Sequence, residues 1–199
     1  MHLSKLKKLV LLSSALVLSA NVSAVEFEVT PMLGQMFAND MKSSVDGADI
    51  SVDSGSSFGV ALSWQDTPNG QGQVLIQSTR HDFKSDIDNN TYDLDILYAH
   101  FNGVAQFRNP NYVSTVSLGL GGALFDSLGS EKFYPSATIS FGTRHEMSPE
   151  FTVVTELRGY ATLVDDSDEM FCQSDVCHGH FSDSLWLQSS FSVGVAYKF

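Results

Sequence analysis

Phe191-Ser-Val-Gly-Val-Ala-Tyr-Lys-Phe199 closes the chain and carries the reading that decides the fold. Phe191, Val193, Val195, Tyr197 and Phe199 take every second position, while Ser192, Gly194, Ala196 and Lys198 fill the gaps. Side chains alternate between the two faces of a β-strand, so one face of this segment is apolar and aromatic and the other small or polar. A chain that finishes inside such a strand, on an aromatic residue, has the form of the closing strand of an outer-membrane barrel. There the apolar face meets lipid and the polar face lines the lumen.

The opposite end agrees. Lys5, Lys7 and Lys8 precede an apolar run from Leu9 to Leu18, and Val22-Ser23-Ala24 supplies a small-residue cleavage motif. That run is shorter than the about 20 residues a membrane helix needs. The expected organisation is a signal peptide over 1–24, with Leu18-Ser19-Ala20 as the alternative cleavage site, and one barrel domain over 25–199. No cysteine lies near either site, which argues against a lipidated amino terminus. The formal net charge is −12, and the signal segment carries lysines but no acid, so the remaining chain is more acidic still. Nucleic acid, which requires a basic stripe, is excluded as a partner. No later segment is apolar for long enough to cross a membrane as a helix.

Working inward, eight segments show the strand period: 25–37, 55–66, 71–83, 92–107, 111–125, 132–145, 150–164 and 184–199. Phe58, Val60, Leu62 and Trp64 share one face of the second. Phe133, Ala137, Ile139 and Phe141 oppose Ser136, Thr138, Ser140 and Arg144 in the sixth. In the seventh, Phe151, Val153, Leu157 and Leu163 oppose Glu156, Arg158 and Tyr160. The fourth has apolar residues on both faces. Leu97, Phe101 and Phe107 are expected toward lipid, because the other set, Tyr92 to Tyr98, continues into His100, Asn102 and Gln106. A bulge near His100 is the alternative. Asp66–Gly70, Arg108–Asn111 and Glu146–Glu150 read as tight turns rich in Pro, Asn and Gly. The connections near 38–54, 84–91, 126–131 and 165–183 read as longer acidic loops. The fold class is therefore all-β, an eight-stranded antiparallel transmembrane up-and-down barrel. Short periplasmic turns and longer outer loops are the usual asymmetry, and an even strand number puts both termini on the periplasmic side. A soluble barrel with its apolar face turned inward is the competing architecture. It would put Arg144, Glu156 and Arg158 on the solvent face and leave Phe199 without a role.

With the strands laid out, the chain resembles the small bacterial outer-membrane β-barrel proteins of the broad OmpX and opacity-protein class. The resemblance rests on Thr30-Pro31-x-x-Gly34-x-x-Phe37, Ser56-Ser57-x-Gly59 and Tyr98-x-His100-x-x-Gly103. It rests most on Glu156-x-Arg158-Gly-Tyr160-x-Thr162-Leu-Val-Asp165, followed by a two-cysteine loop, Leu185-Trp186 and the terminal Phe. It implies an outer-membrane barrel, sometimes labelled porin-like, without an assigned activity. The chain departs from the pattern in its short third outer loop and in His178 and His180 after the second cysteine.

Cys172 and Cys177 are the only cysteines and are separated by four residues in the longest acidic loop. In an exported protein such a pair is expected to form a disulfide. The sharper alternative is a zinc site built from Cys172, Cys177, His178 and His180 with nearby Asp175. Glu26, Glu28, His100, Arg144, Glu156, Arg158 and Lys198 fall on inward faces. They are expected to form an interior polar network, since a narrow barrel is filled by side chains and each buried charge must find a partner. His100, with Asn102 and Gln106, is expected to be an interior hydrogen-bonding residue. No catalytic residue, cofactor or metal ligand is assigned. His180-Phe-Ser182 and His81-Asp82 pair a base with a hydroxyl or an acid by spacing alone. Asp40, Asp46, Asp49, Asp53, Asp86, Asp88, Asp165, Asp166, Asp168 and Glu169 form an acidic rim on the loops. The rim is read as solvated rather than as a site for divalent cations bridging to lipopolysaccharide.

The expected role is structural or cell-surface interaction without catalysis. The alternatives are a small or gated porin-like channel and a lipid A-modifying enzyme. The expected partners of this monomer are outer-membrane lipids, lipopolysaccharide and the barrel-assembly machinery acting on the terminal strand.

Overall fold

The computed structural model describes the backbone of residues 26–39, 41–43, 49–50, 52–84, 91–127, 130–165, 169–173, 176–180 and 184–199. The expected signal peptide lies outside the described residues. The strands are β1 (Phe27–Ala38), β2 (Met41–Ser43), β3 (Asp49–Ile50), β4 (Gly55–Thr67), β5 (Gly70–Lys84) and β6 (Thr91–Arg108). They continue with β7 (Val113–Ser127), β8 (Ser130–Glu146), β9 (Phe151–Leu163), β10 (Glu169–Gln173), β11 (Val176–His180) and β12 (Leu185–Lys198).

Eight of them close into an antiparallel barrel in the order β1-β12-β9-β8-β7-β6-β5-β4. These are the eight segments expected from periodicity, with ends displaced by at most two residues. Closure runs to the last residue: the Phe27 amide donates to the Phe199 carbonyl at 3.3 Å and the Phe199 amide to the Phe27 carbonyl at 3.0 Å. A closed ladder leaves no backbone edge unsatisfied, the condition for spanning hydrocarbon. The two prolines in barrel strands sit where the ladder can spare a donor. Pairing of β1 with β12 skips from Val29↔Tyr197 to Met32↔Gly194 around Pro31, and pairing of β8 with β9 starts only after Pro135, at Ser136↔Thr162.

The faces sort as the periodicity requires. Leu33, Phe101, Phe133 and Leu120 are 66%, 59%, 68% and 73% exposed, whereas Glu28, Asn102 and Arg158 are 3%, 0% and 1% exposed. Large apolar groups outside and charges inside invert a soluble core, which removes the alternative of a soluble barrel with its apolar face turned inward. The fourth barrel strand, β6, points Leu97, Phe101 and Phe107 outward and buries Tyr92, Leu94, Ile96 and Tyr98. It carries no bulge at His100, since the ladders run unbroken through Leu75↔His100 and His100↔Gly121. Aromatic residues gather outside one end of the barrel. Phe27 lies 6.3 Å from Phe199, Tyr197 6.2 Å from Phe199, and Phe151 5.2 Å from Tyr197, ring centre to ring centre.

The tight turns lie at that same end. In one, the Ser148 hydroxyl accepts the amides of Glu150 at 3.3 Å and Phe151 at 3.0 Å. The other end corrects the sequence reading twice. First, β7 and β8 continue as far as Ser127↔Ser130, so the connection expected over 126–131 shrinks to 128–129. Second, the connections expected over 38–54 and 165–183 contain strands, which form a separate four-stranded sheet in the order β10-β11-β2-β3.

Candidate functional site

The inward side chains form successive layers from the turn end to the loop end. At the turn end a cavity of about 210 Å³ is lined by Glu26, Gln71, Gln106, Arg108, Arg144, Glu146 and Lys198, among others. Glu146 reaches Arg108 at 3.5 Å and Lys198 at 3.8 Å. Glu26 and Lys198 thus belong to the mouth rather than to the packed interior. Glu26 precedes the first hydrogen-bonded strand residue and stays exposed. Below the mouth, Arg144 donates to Glu28 at 2.5 Å, both side chains buried, and Thr30 donates to the other Glu28 oxygen at 3.4 Å. This pair joins β1 to β8 across the lumen, and Met32, Ala61 and Leu75 form a small apolar patch further along.

Arg158 organises the middle layer. Its Nε donates to Glu156 Oε1 at 2.8 Å and its Nη2 to Oε2 at 3.0 Å, the forked geometry that makes Arg–carboxylate pairs strong. Its Nη1 donates to Asn102 Oδ1 and to Thr138 Oγ1, both at 3.1 Å. Asn102 in turn donates to Gln73 at 3.3 Å, and Ser140 donates to Glu156 at 3.0 Å. Gly119 makes room for this layer, since a Cβ there would overlap the Asn102 side-chain oxygen. Charges in low dielectric are tolerated only when paired and hydrogen-bonded, and here both conditions are met.

Above it the lumen becomes aromatic. Tyr160 donates to Gln77 at 2.5 Å, and Tyr98 donates to Gln188. The Gln188 amide lies 2.9 Å from His81 Nε2, and His81 Nδ1 lies 2.8 Å from the Asp53 carbonyl. A carbonyl can only accept, so Nδ1 carries the proton and Nε2 of the neutral ring accepts from Gln188. One hydrogen-bond direction therefore runs through four residues. His100 departs from expectation. It is buried, and among the described residues no side chain or backbone group hydrogen-bonds to either ring nitrogen. Its neighbours are rings, Tyr98 at 5.6 Å and Tyr160 at 5.8 Å, so the site offers packing instead of acceptors. Gln106, expected beside it, instead accepts from Arg108 at 3.2 Å toward the mouth. Met36, Leu94, Ile96, Phe125, Tyr134 and Trp186 complete the stack toward the loop end. Phe125 lies 5.3 Å from Tyr134 and 5.6 Å from Trp186.

Such layers can hold a barrel rigid and bar the passage of hydrated ions. His81 and Asp82 do not meet, because they point to opposite faces of β5, one buried and one exposed. Ser182 lies outside the described residues, as do the side chains of Cys172, Cys177, His178 and His180. Among the described residues no group of three His, Cys, Asp or Glu could hold a metal ion. Sequence reasoning passed over Gln73, Gln77 and Gln188, and weighed His81 only with Asp82. The signal was present, because Gln71, Gln73, Gln77, Thr79 and His81 hold the inward parity of β5.

No protein-family pattern and no curated protein matches the chain. Solved structures do resemble it. Neisserial surface protein A aligns over 87% of this chain and 97% of its own, with a TM-score of 0.55 at 15% identity. Ail, the attachment invasion locus protein of Yersinia pestis, solved in complex with the heparin analogue sucrose octasulfate, aligns over 88% and 99%, with a TM-score of 0.50 at 14% identity. With its closed ring of eight antiparallel strands, the chain has the fold of the small outer-membrane β-barrels.

Proposed function

We propose that this protein is a non-catalytic integral barrel of the bacterial outer membrane, with a plugged lumen, whose loop end meets partners at the cell surface. The observation that carries the reading is the Arg158 layer. A guanidinium bonded to Glu156, Asn102 and Thr138 occupies the centre of a narrow barrel, with Tyr98 and Tyr160 above it and the Arg144–Glu28 pair below. An eight-stranded barrel is just wide enough for side chains to fill. The exposed aromatic and aliphatic exterior supports insertion in lipid, and the turn-end cluster around Tyr197 and Phe199 matches an interfacial aromatic girdle. Turn and loop lengths support an orientation with both termini in the periplasm and the acidic loops outside, in contact with lipopolysaccharide. The terminal strand is the part offered to the assembly machinery.

Ail's crystallised ligand, a heparin analogue, is a polyanion, which calls for a basic surface. The formal net charge here is −12, so a neutral or basic partner is proposed instead. The test is a planar lipid bilayer. The purified protein is expected to give no discrete current steps, and reproducible unitary steps would overturn the plug in favour of a channel. A change in lipid A mass on expression would overturn the non-catalytic reading.

A further inference from the structure

We infer that Cys172 and Cys177 form a disulfide inside the β10–β11 hairpin, which fixes β11 as the strand on which β2, from a second loop, docks. The backbone register supplies the argument. β10 and β11 are antiparallel, with Glu169↔His180, Met170↔Gly179, Cys172↔Cys177 and Gln173↔Val176 as direct partners. Direct partners lie on the same face with Cα atoms about 4.5–5.5 Å apart. That falls inside the about 4.4–6.8 Å separation a disulfide requires.

The same register divides the zinc alternative. Successive strand residues take opposite faces, so His178 and His180 fall on the face opposite Cys177 and its partner Cys172. A tetrahedral site needs its ligands to converge on one point, and this ladder splits them into two pairs.

The consequence reaches beyond the hairpin. β11 pairs on its other side with β2 through Gly179↔Ser43 and His180↔Lys42, and β2 pairs with β3 through Met41↔Ile50 and Lys42↔Asp49. β2 and β3 interrupt the connection from β1 to β4, whereas β10 and β11 interrupt that from β9 to β12. β1 and β12 are barrel neighbours, so one connection leaves the barrel and the other rejoins it on adjacent strands. A hairpin alone in water is marginal, and two register partners add little to it. A covalent bond at Cys172↔Cys177 holds β11 in the strand conformation and register that β2 needs. Closing so small a loop removes little chain entropy, so the effect is this local one.

Bond formation takes both thiol protons and two electrons. The electrons go to a disulfide of a thiol oxidant in the cell envelope, which is reduced to two thiols as the Cys172–Cys177 bond forms.

The inference rests on export to an oxidising compartment, and the experiment separates the two claims. Protein from the outer-membrane fraction, digested without reduction, is expected to give a 172–177 peptide lighter than the dithiol by a pair of hydrogens and resistant to alkylation. Hydrogen exchange on the folded protein, oxidised against reduced and against Cys172→Ser/Cys177→Ser, is expected to lose protection over 169–180 and also over 41–43. The barrel strands should be unaffected. Alkylatable thiols in the outer-membrane protein, stoichiometric zinc, or unchanged exchange over 41–43 on reduction would each overturn the inference. Recovery in the cytoplasm would overturn the location instead, and refolding with oxidised glutathione then tests the bond by itself.

Discussion

The barrel and the loop-end sheet are built from the same ladder and differ in how much of it each possesses. In the barrel every strand is paired on both sides, and the β7–β8 ladder alone runs from Val113↔Arg144 to Ser127↔Ser130. In the loop-end sheet β11 holds β2 through Gly179↔Ser43 and His180↔Lys42, and β10 and β3 are outer strands of an open order. Closure makes the first cooperative, because no strand can leave without opening two ladders in lipid. The second is short and open, so its strands can part without breaking a barrel ladder. What the comparison teaches is that the two regions need different supports: lumen chemistry for the barrel, a local staple for the sheet.

The largest expected effect comes from the lumen. Arg158→Met leaves Glu156 as an uncompensated buried charge and is expected to cost about 3–5 kcal/mol. Urea unfolding of vesicle-inserted protein measures it, and the double variant with Glu156→Gln should recover most of the loss. Wild-type stability in the single variant would mean that the ion pair does not support the barrel. Next comes the lipid face. Val193, 44% exposed and opposite Leu33 across the closing seam, tests the wall itself. Val193→Arg is expected to cost about 2–4 kcal/mol near the bilayer midplane in the same measurement. Tyr98→Phe removes one hydroxyl and leaves the Gln188 oxygen unmatched, a loss of about 1–3 kcal/mol. The smallest effect belongs to the other region. Cys172→Ser/Cys177→Ser should leave the barrel's unfolding midpoint unchanged while the 165–183 connection becomes protease-sensitive. A shifted midpoint would show that the two regions are one cooperative unit and erase the distinction.

How far the sequence could be read follows the same division. The eight barrel strands were legible because a wall with lipid on one side and packed side chains on the other imposes a period of two on every residue. β2, β3, β10 and β11 were not, because strands of two to five residues are too short to show a period. The end of the β7–β8 ladder reads as loop for a related reason: Asp126, Ser127, Ser130 and Glu131 carry no apolar face where the strands continue. Parity placed Glu28, Arg144, Glu156 and Arg158 inside but could not pair them. Glu28 and Arg144 sit on strands that are not sheet neighbours and meet only across the closed lumen. His100 is buried, as its parity implies, but its surroundings are set by the rings of Tyr98 and Tyr160 rather than by its own strand.

Local alternation against a two-sided environment sets the number of barrel strands and the side of the wall each of their residues faces. The tertiary structure alone decided which interior charges pair, that His100 lies among the rings of Tyr98 and Tyr160, and that two distant loops join edge to edge. Those outcomes depend on closure, which brings residues far apart in the chain to the same level of one lumen or the same edge of one sheet, and local periodicity carries no information about such meetings.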